Sequence, residues 1–234
     1  MKFVGFGCSF TYGSELHDPE VESEFHWANT RYRERHCWLG QLAARAGGTW
    51  DNWGQPSGSN YSIQFEFARW FERSYSPDEP VVVAVAWTAP YRMSWWDDAR
   101  DRYVHDGFLR NHGVVDAGGV HPEDAPFVPA FKTWLTNSSG NSDRITSAAK
   151  LFVNSVCTAR NIPIVQFNAL GQHTAQDSQY ANYFQAGNTM SDFLQQEMIH
   201  NDKLNLFAPG MHPNEAGHAY WTERLWDFVA DKIK

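Results

Sequence analysis

Residues 81–87 read VVVAVAW, an unbroken apolar run. A strand with one face in water alternates apolar and polar side chains, whereas a strand apolar on both faces has to be covered on both. The run therefore predicts a central parallel strand with helices packed above and below it. The rest of the chain supplies candidates for both. Phe3, Val4 and Phe6, interleaved with Gly5 and Gly7, form a short buried strand at the amino terminus. Cys37 to Ala46 has helical spacing, with Trp38, Leu39, Leu42, Ala43 and Ala46 on one side and Gly47-Gly48 as the stop. A short strand near Trp50–Trp53 follows. In Tyr61–Arg73 the apolar residues Ile63, Phe65, Phe67, Trp70 and Phe71 keep a helical period.

The second half repeats the alternation. Ser142 or Asn141 caps a predicted helix over Asp143–Arg160, with Ile145, Ala148, Ala149, Phe152, Val153 and Val156 as its buried stripe. Residues 164–167 form another strand, and helical character returns around Met190–Ile199. Pro213-Asn214-Glu215 opens a terminal helix to about Lys232, with Ala216, Tyr220, Leu225, Phe228 and Val229 facing inward. The order predicts one domain over residues 1–234, a three-layer α/β/α sandwich with a mostly parallel sheet. Two stretches stand outside the pattern. Residues 14–36 are charged and read as a surface loop over the site. Residues 89–141 are irregular and proline-rich, the mark of a lid or insertion with room for a small helix or hairpin.

Net charge is −8 with no lysine-arginine run, which argues against nucleic-acid and anionic-membrane partners. Cys8, Cys37 and Cys157 lack metal-like spacing and suggest reduced thiols in a cytoplasmic setting. Neither a signal peptide nor a membrane-spanning run is read from the sequence. Trp50, Trp53, Trp95 and Trp96 lie near predicted loops, where packing and stacking on sugars are both open.

The chemistry is concentrated at the tip of the first strand, GFGCSFTYG. Gly7 and Gly13 bracket Ser9, and a serine on a sharp strand-to-helix turn emerges at the carboxyl edge of the sheet, where open α/β folds bind ligands. The alternative role for Ser9 is a helix cap, and Cys8 is a rival nucleophile unless it is simply a buried apolar residue. A serine hydroxyl needs a base. His212, in PGMHPNEAGH just before the last helix, is expected at the same edge. His173, His200 and His218 are read as surface or core residues, and a zinc site from His212 with His218 has poor spacing. Gly58, Thr88 and Asn60 are candidate donors to an oxyanion.

Four segments together resemble the SGNH (GDSL-like) hydrolase superfamily: GFGCSFTYG, with Cys8 in place of the usual aspartate; NWGQPSGSN; VVVAVAWTAPYR, with Thr88 where asparagine is usual; and PGMHPNEAGH. The GCSFTYG form is also similar to uncharacterised proteins of tailed bacteriophages. The resemblance implies a flavodoxin-like sandwich and a serine esterase without metal or organic cofactor. It implies Ser9 as nucleophile, His212 as base, and an oxyanion hole from Ser9, Gly58 and Thr88. The family's acid, three residues before the histidine, is replaced by Pro209. Three outcomes stay open: a backbone carbonyl near Pro209 orients His212, another carboxylate such as Asp202 or Glu215 does so, or the site is inactive. The substrate is expected to be a small-molecule or carbohydrate ester. The alternative is an inactive binding or structural protein, with a homo-oligomer or a virion assembly left open.

Overall fold

The structure is a computed structural model and describes residues 1–21, 27–92, 94–97, 102–105, 139–171, 177–180, 182–184 and 189–231. Its centre is a four-stranded parallel sheet of β1 (Lys2–Gly7), β2 (Thr49–Asn52), β3 (Val81–Trp87) and β6 (Ile164–Asn168), in the order β2-β1-β3-β6. The expected three-layer α/β arrangement is what forms. All residues of β3 are buried, as its composition requires. Alternate residues serve opposite layers. Phe3, Val82, Ala84, Ala86, Val165 and Phe167 face one core. Val4, Phe6, Val81, Val83, Val85, Trp87 and Ile164 face the other.

The first layer is built by α3 (Trp38–Arg45), α6 (Met190–His200) and α7 (Glu215–Val229), the second by α4 (Asn60–Arg73) and α5 (Ser139–Ala159). The chain leaves β1 toward β2 on one side and returns to β3 and β6 on the other. The strand order thus reverses between β1 and β3, and their carboxyl ends border the crevice where such sheets take ligands.

Local chemistry explains most helix boundaries. Ser59 caps α4 in a reciprocal box with Ser62, and Asn214 caps α7 by accepting from the Gly217 amide. Pro213 consequently lies before the cap, bridged to Phe207, and is not part of the helix. The inward face of α7 is Gly217, His218, Trp221, Thr222, Leu225 and Val229, while Ala216 is exposed.

The buried stripe of α5 differs more from the expected one. Thr146, Ala149, Lys150, Val153, Asn154 and Cys157 face inward, whereas Ile145 and Phe152 are over a third exposed. A polar network under the sheet edge turns the helix this way. Lys150 Nζ lies 2.5 Å from Asp177 Oδ1, and Asn154 and Gln166 exchange amide hydrogen bonds of 3.0 and 2.8 Å. Trp87 Nε1 donates to Gln166, and the Tyr183 hydroxyl donates to Asn168.

Residues 14–36 do not form only a loop, because α2 (Trp27–His36) lies within them. Its anchors are polar: Asn29 accepts from the Asp18 amide, and Tyr32 donates to Glu215. Within 89–141, β4 (Ser94–Asp97) and β5 (Arg102–His105) form an antiparallel hairpin, so Trp95 and Trp96 belong to a strand. Residues 106–138 and His173 fall outside the described residues. No helix among the described residues is long and apolar enough to cross a membrane.

Candidate active site

The β1–α1 turn needs both of its glycines, for different reasons. A side chain on Gly7 would run into the Thr11 hydroxyl and come within 3.0 Å of the Ala86 carbonyl. Gly13 ends α1 (Ser9–Tyr12) at φ 82°, a conformation that favours glycine. Cys8 occupies the N-cap without a side-chain hydrogen bond, so Ser9 is the first helical residue and not the cap. Ser9 is 4% exposed and Cys8 is fully buried in the core.

The loop after β2 is fastened against this turn. Trp53 and Gln55 donate amides to the Gly5 and Gly7 carbonyls at 2.8 and 2.9 Å, extending the parallel pairing beyond the strand. Asn52 donates to the Thr11 carbonyl at 2.8 Å. Gly54 sits so near Thr11 and Tyr12 that a Cβ would lie 2.5 Å from the Tyr12 nitrogen. Trp53 packs on Phe6 with ring centroids 6.4 Å apart, and so serves the core.

His212 stands on the short loop between Phe207 and Pro213, which form an isolated antiparallel bridge. Ala208 N donates to the His212 carbonyl at 2.8 Å, and Met211 N donates to the Ala208 carbonyl at 2.9 Å. The imidazole packs edge-to-face on Phe10, the neighbour of Ser9, with centroids 5.9 Å apart. Both residues expected to carry the chemistry therefore lie at the carboxyl edge of the sheet.

The carboxylate on the His212 ring is Glu15. Its Oε2 is 2.7 Å from His212 Nδ1 and accepts the His212 amide at 3.2 Å, while Oε1 accepts the Gly210 amide at 2.7 Å. Burial alone would raise its pKa, but the hydrogen bonds from His212 and Gly210 outweigh this and hold the carboxyl below its ordinary value. Gly210 is what permits the approach, since a Cβ there would lie 2.6 Å from a Glu15 oxygen. Glu15 at φ 65° and Met211 at φ 67° are both left-handed without being glycine, so backbone strain sits on each side of the contact.

The two carboxylates expected to replace the missing acid are elsewhere. Glu215 accepts from the Tyr32 hydroxyl at 2.6 Å and pairs with His36 Nδ1 at 2.7 Å. Asp202 is exposed in the turn after α6. Pro209 belongs to the loop that Glu15 clamps, and the ring's Nδ1 partner is that carboxylate and not a backbone carbonyl.

His218, read from sequence as non-catalytic, is a buried cap: its Nδ1 accepts the Trp38 amide at 3.2 Å, at the start of α3. Burial first, then the nearby His212, depresses its pKa to about 3, so it stays neutral.

The candidate oxyanion donors are largely engaged. The Gly58 amide donates to the Gln55 carbonyl at 3.0 Å. Asn60 spends its side chain on the Thr88 backbone, accepting from its N–H and donating to its C=O at 2.9 Å each, and donates to Thr146 at 3.0 Å. Thr88 Oγ1, by contrast, is buried with no partner among the described residues.

No family model matches the chain, and no curated protein matches it. Solved structures with a similar arrangement include a member of the lipolytic protein G-D-S-L family from Veillonella parvula, 12% identical over 97% of each chain with a TM-score of 0.41. A mutant of an acetyl-xylooligosaccharide esterase from Geobacillus is 12% identical over 97% of this chain and 93% of that one, with a TM-score of 0.38. A possible lipase from Chitinophaga pinensis is 13% identical over 98% of each chain, with a TM-score of 0.35.

Proposed function

We propose that the protein is a serine esterase in which Ser9, His212 and Glu15 act as nucleophile, base and orienting acid. The observation that carries the reading is the 2.7 Å contact between Glu15 and His212 Nδ1, on a loop packed against the Ser9 turn. A carboxylate at Nδ1 keeps the proton there and leaves Nε2 free to take the serine proton. Ser9 attacks the ester carbonyl as His212 accepts its proton. The imidazolium then protonates the departing alcohol, and water hydrolyses the acyl-enzyme by the same route in reverse. The developing oxyanion is met by the Ser9 N–H and by the Thr88 hydroxyl, which has no other acceptor among the described residues. The Gly58 N–H joins them only when its turn to Gln55 opens. The chemistry asks for a carboxylic ester, of which a carbohydrate O-acetyl ester is one instance.

A fluorophosphonate probe tests this directly. Labelling of the wild type, with none in Ser9→Ala and strongly slowed labelling in His212→Ala, is the expected pattern. Equal labelling of all three removes the proposal. The second reading, an inactive protein that only binds, draws on the engaged Gly58 amide. It predicts that wild type and His212→Ala hydrolyse p-nitrophenyl acetate alike, at the buffer rate.

A further inference from the structure

Beside the Glu15–His212 pair is a cavity of about 690 Å³ whose lining includes Tyr12, Glu15, His17, Thr30, Arg33 and Pro209. Its charges are unevenly satisfied. Both oxygens of Glu15 are taken by the three N–H groups of Gly210 and His212. Among the described residues the hydrogen-bond partners of Arg33 are neutral: its Nη2 donates to the Tyr12 hydroxyl at 2.8 Å and to Thr30 at 3.2 Å, its guanidinium lies 4.5 Å above the Tyr12 ring, and the carboxylate that feels its charge is its chain neighbour Glu34. Among the described residues no carboxylate pairs with it, and its buried Nε has no acceptor.

A half-buried guanidinium held by two hydroxyls and a ring is fixed in place, no carboxylate among the described residues is hydrogen-bonded to it, and its planar fork matches one. The overall charge of −8 does not cancel it locally, because charges beyond about 8 Å are screened at physiological salt.

We propose that this cavity receives a carboxylate carried by the ester substrate, with Arg33 as its counter-charge. The inference rests on the esterase reading and narrows its substrate class to esters whose acyl or alcohol part is acidic. Of the charged residues lining the cavity, Glu15 then serves the chemistry through His212 and Arg33 serves selection.

The test compares kcat/KM for p-nitrophenyl acetate and mono-p-nitrophenyl succinate in wild type, Arg33→Gln, Arg33→Lys and Tyr12→Phe, with calorimetric binding of free succinate to each. The expected result is an anionic-to-neutral kcat/KM ratio about tenfold or more lower in Arg33→Gln, the loss of one charge-assisted contact. Arg33→Lys should regain part of it. Tyr12→Phe, which breaks the same hydrogen bond but keeps the charge, should stay near the wild-type ratio. Succinate should bind the wild type at least about tenfold more tightly than Arg33→Gln and compete with the ester.

An unchanged ratio with equal succinate binding overturns the proposal. Arg33-dependent succinate binding that does not compete with the ester overturns the substrate assignment. If the wild type hydrolyses neither ester, the esterase reading fails, and succinate binding alone decides whether the carboxylate site exists.

Discussion

Replacing Glu15 by glutamine changes one oxygen for an amide and removes the charge that three N–H groups converge on. In the native site those donors are the Gly210 amide at 2.7 Å, the His212 amide at 3.2 Å and the His212 ring at 2.7 Å. A glutamine satisfies one side only. With its oxygen toward His212, its NH₂ opposes the Gly210 N–H. With its NH₂ toward His212, it donates to Nδ1 and moves the ring proton to Nε2, the tautomer that cannot accept from Ser9. Hydrogen bonds to a charged group contribute about 1.5–3 kcal/mol, which sets the smallest loss in kcat at about ten- to hundredfold. Full loss of imidazole orientation costs about 10⁴ in serine proteases, which sets the largest. The assay is steady-state hydrolysis of p-nitrophenyl acetate, with urea denaturation to confirm that the variant folds. A folded Glu15→Gln enzyme with wild-type kcat, beside a dead Ser9→Ala, would refute the orienting role of Glu15.

The same carboxylate predicts a pH dependence of stability. Its folded-state pKa lies below the ordinary 4.5, so its contribution is fully present above pH 4.5 and is lost as pH falls through the lower folded value. The stability gap between wild type and Glu15→Gln, measured in urea, should therefore narrow as pH falls from 5 toward 3. Gly7→Ala should cost about 1–3 kcal/mol, since the added methyl meets Thr11 and the Ala86 carbonyl; a neutral effect in thermal melts would contradict the packing of the turn. Lys150→Met leaves Asp177 buried and 1% exposed without its cation, for a loss of about 3–5 kcal/mol, partly recovered in the double variant with Asp177→Asn. Cys8, Cys37 and Cys157 are buried, with burial raising Cys37 to about 11 and Cys157 to about 12. A thiol reagent at pH 8 should thus find none of the three in the native protein and all of them in denaturant.

Patterns that repeat along the chain are legible in its sequence. The apolar run of β3 demanded two covering layers, the glycines around Ser9 marked a sharp turn, and the period of α3 and α4 announced their buried sides. Each of these depends on residues a few positions apart, so one stretch of sequence contains the whole cause. The inward stripe of α5 departs from its apolar period because Thr146, Lys150 and Asn154, which look like solvent-facing residues, are buried. They turn inward only because Asn60, Asp177 and Gln166 wait there as partners. Likewise α2 has no apolar period to announce it, being held by hydrogen bonds to distant groups.

Local patterns are enough to specify a parallel α/β sandwich with Ser9 at the end of its first strand and His212 ahead of its last helix, since backbone geometry and hydrophobic period are set by residues close in the chain. Which carboxylate meets the imidazole depends on long-range folding. Glu15 and His212 are 197 positions apart, and their contact depends on a left-handed backbone at Glu15 and on Gly210 leaving room for its oxygens. Gly210, beside Pro209, leaves the room, but the carboxylate that fills it comes from the other end of the chain. Two loops have to be folded against one sheet edge before a carboxylate reaches the His212 ring.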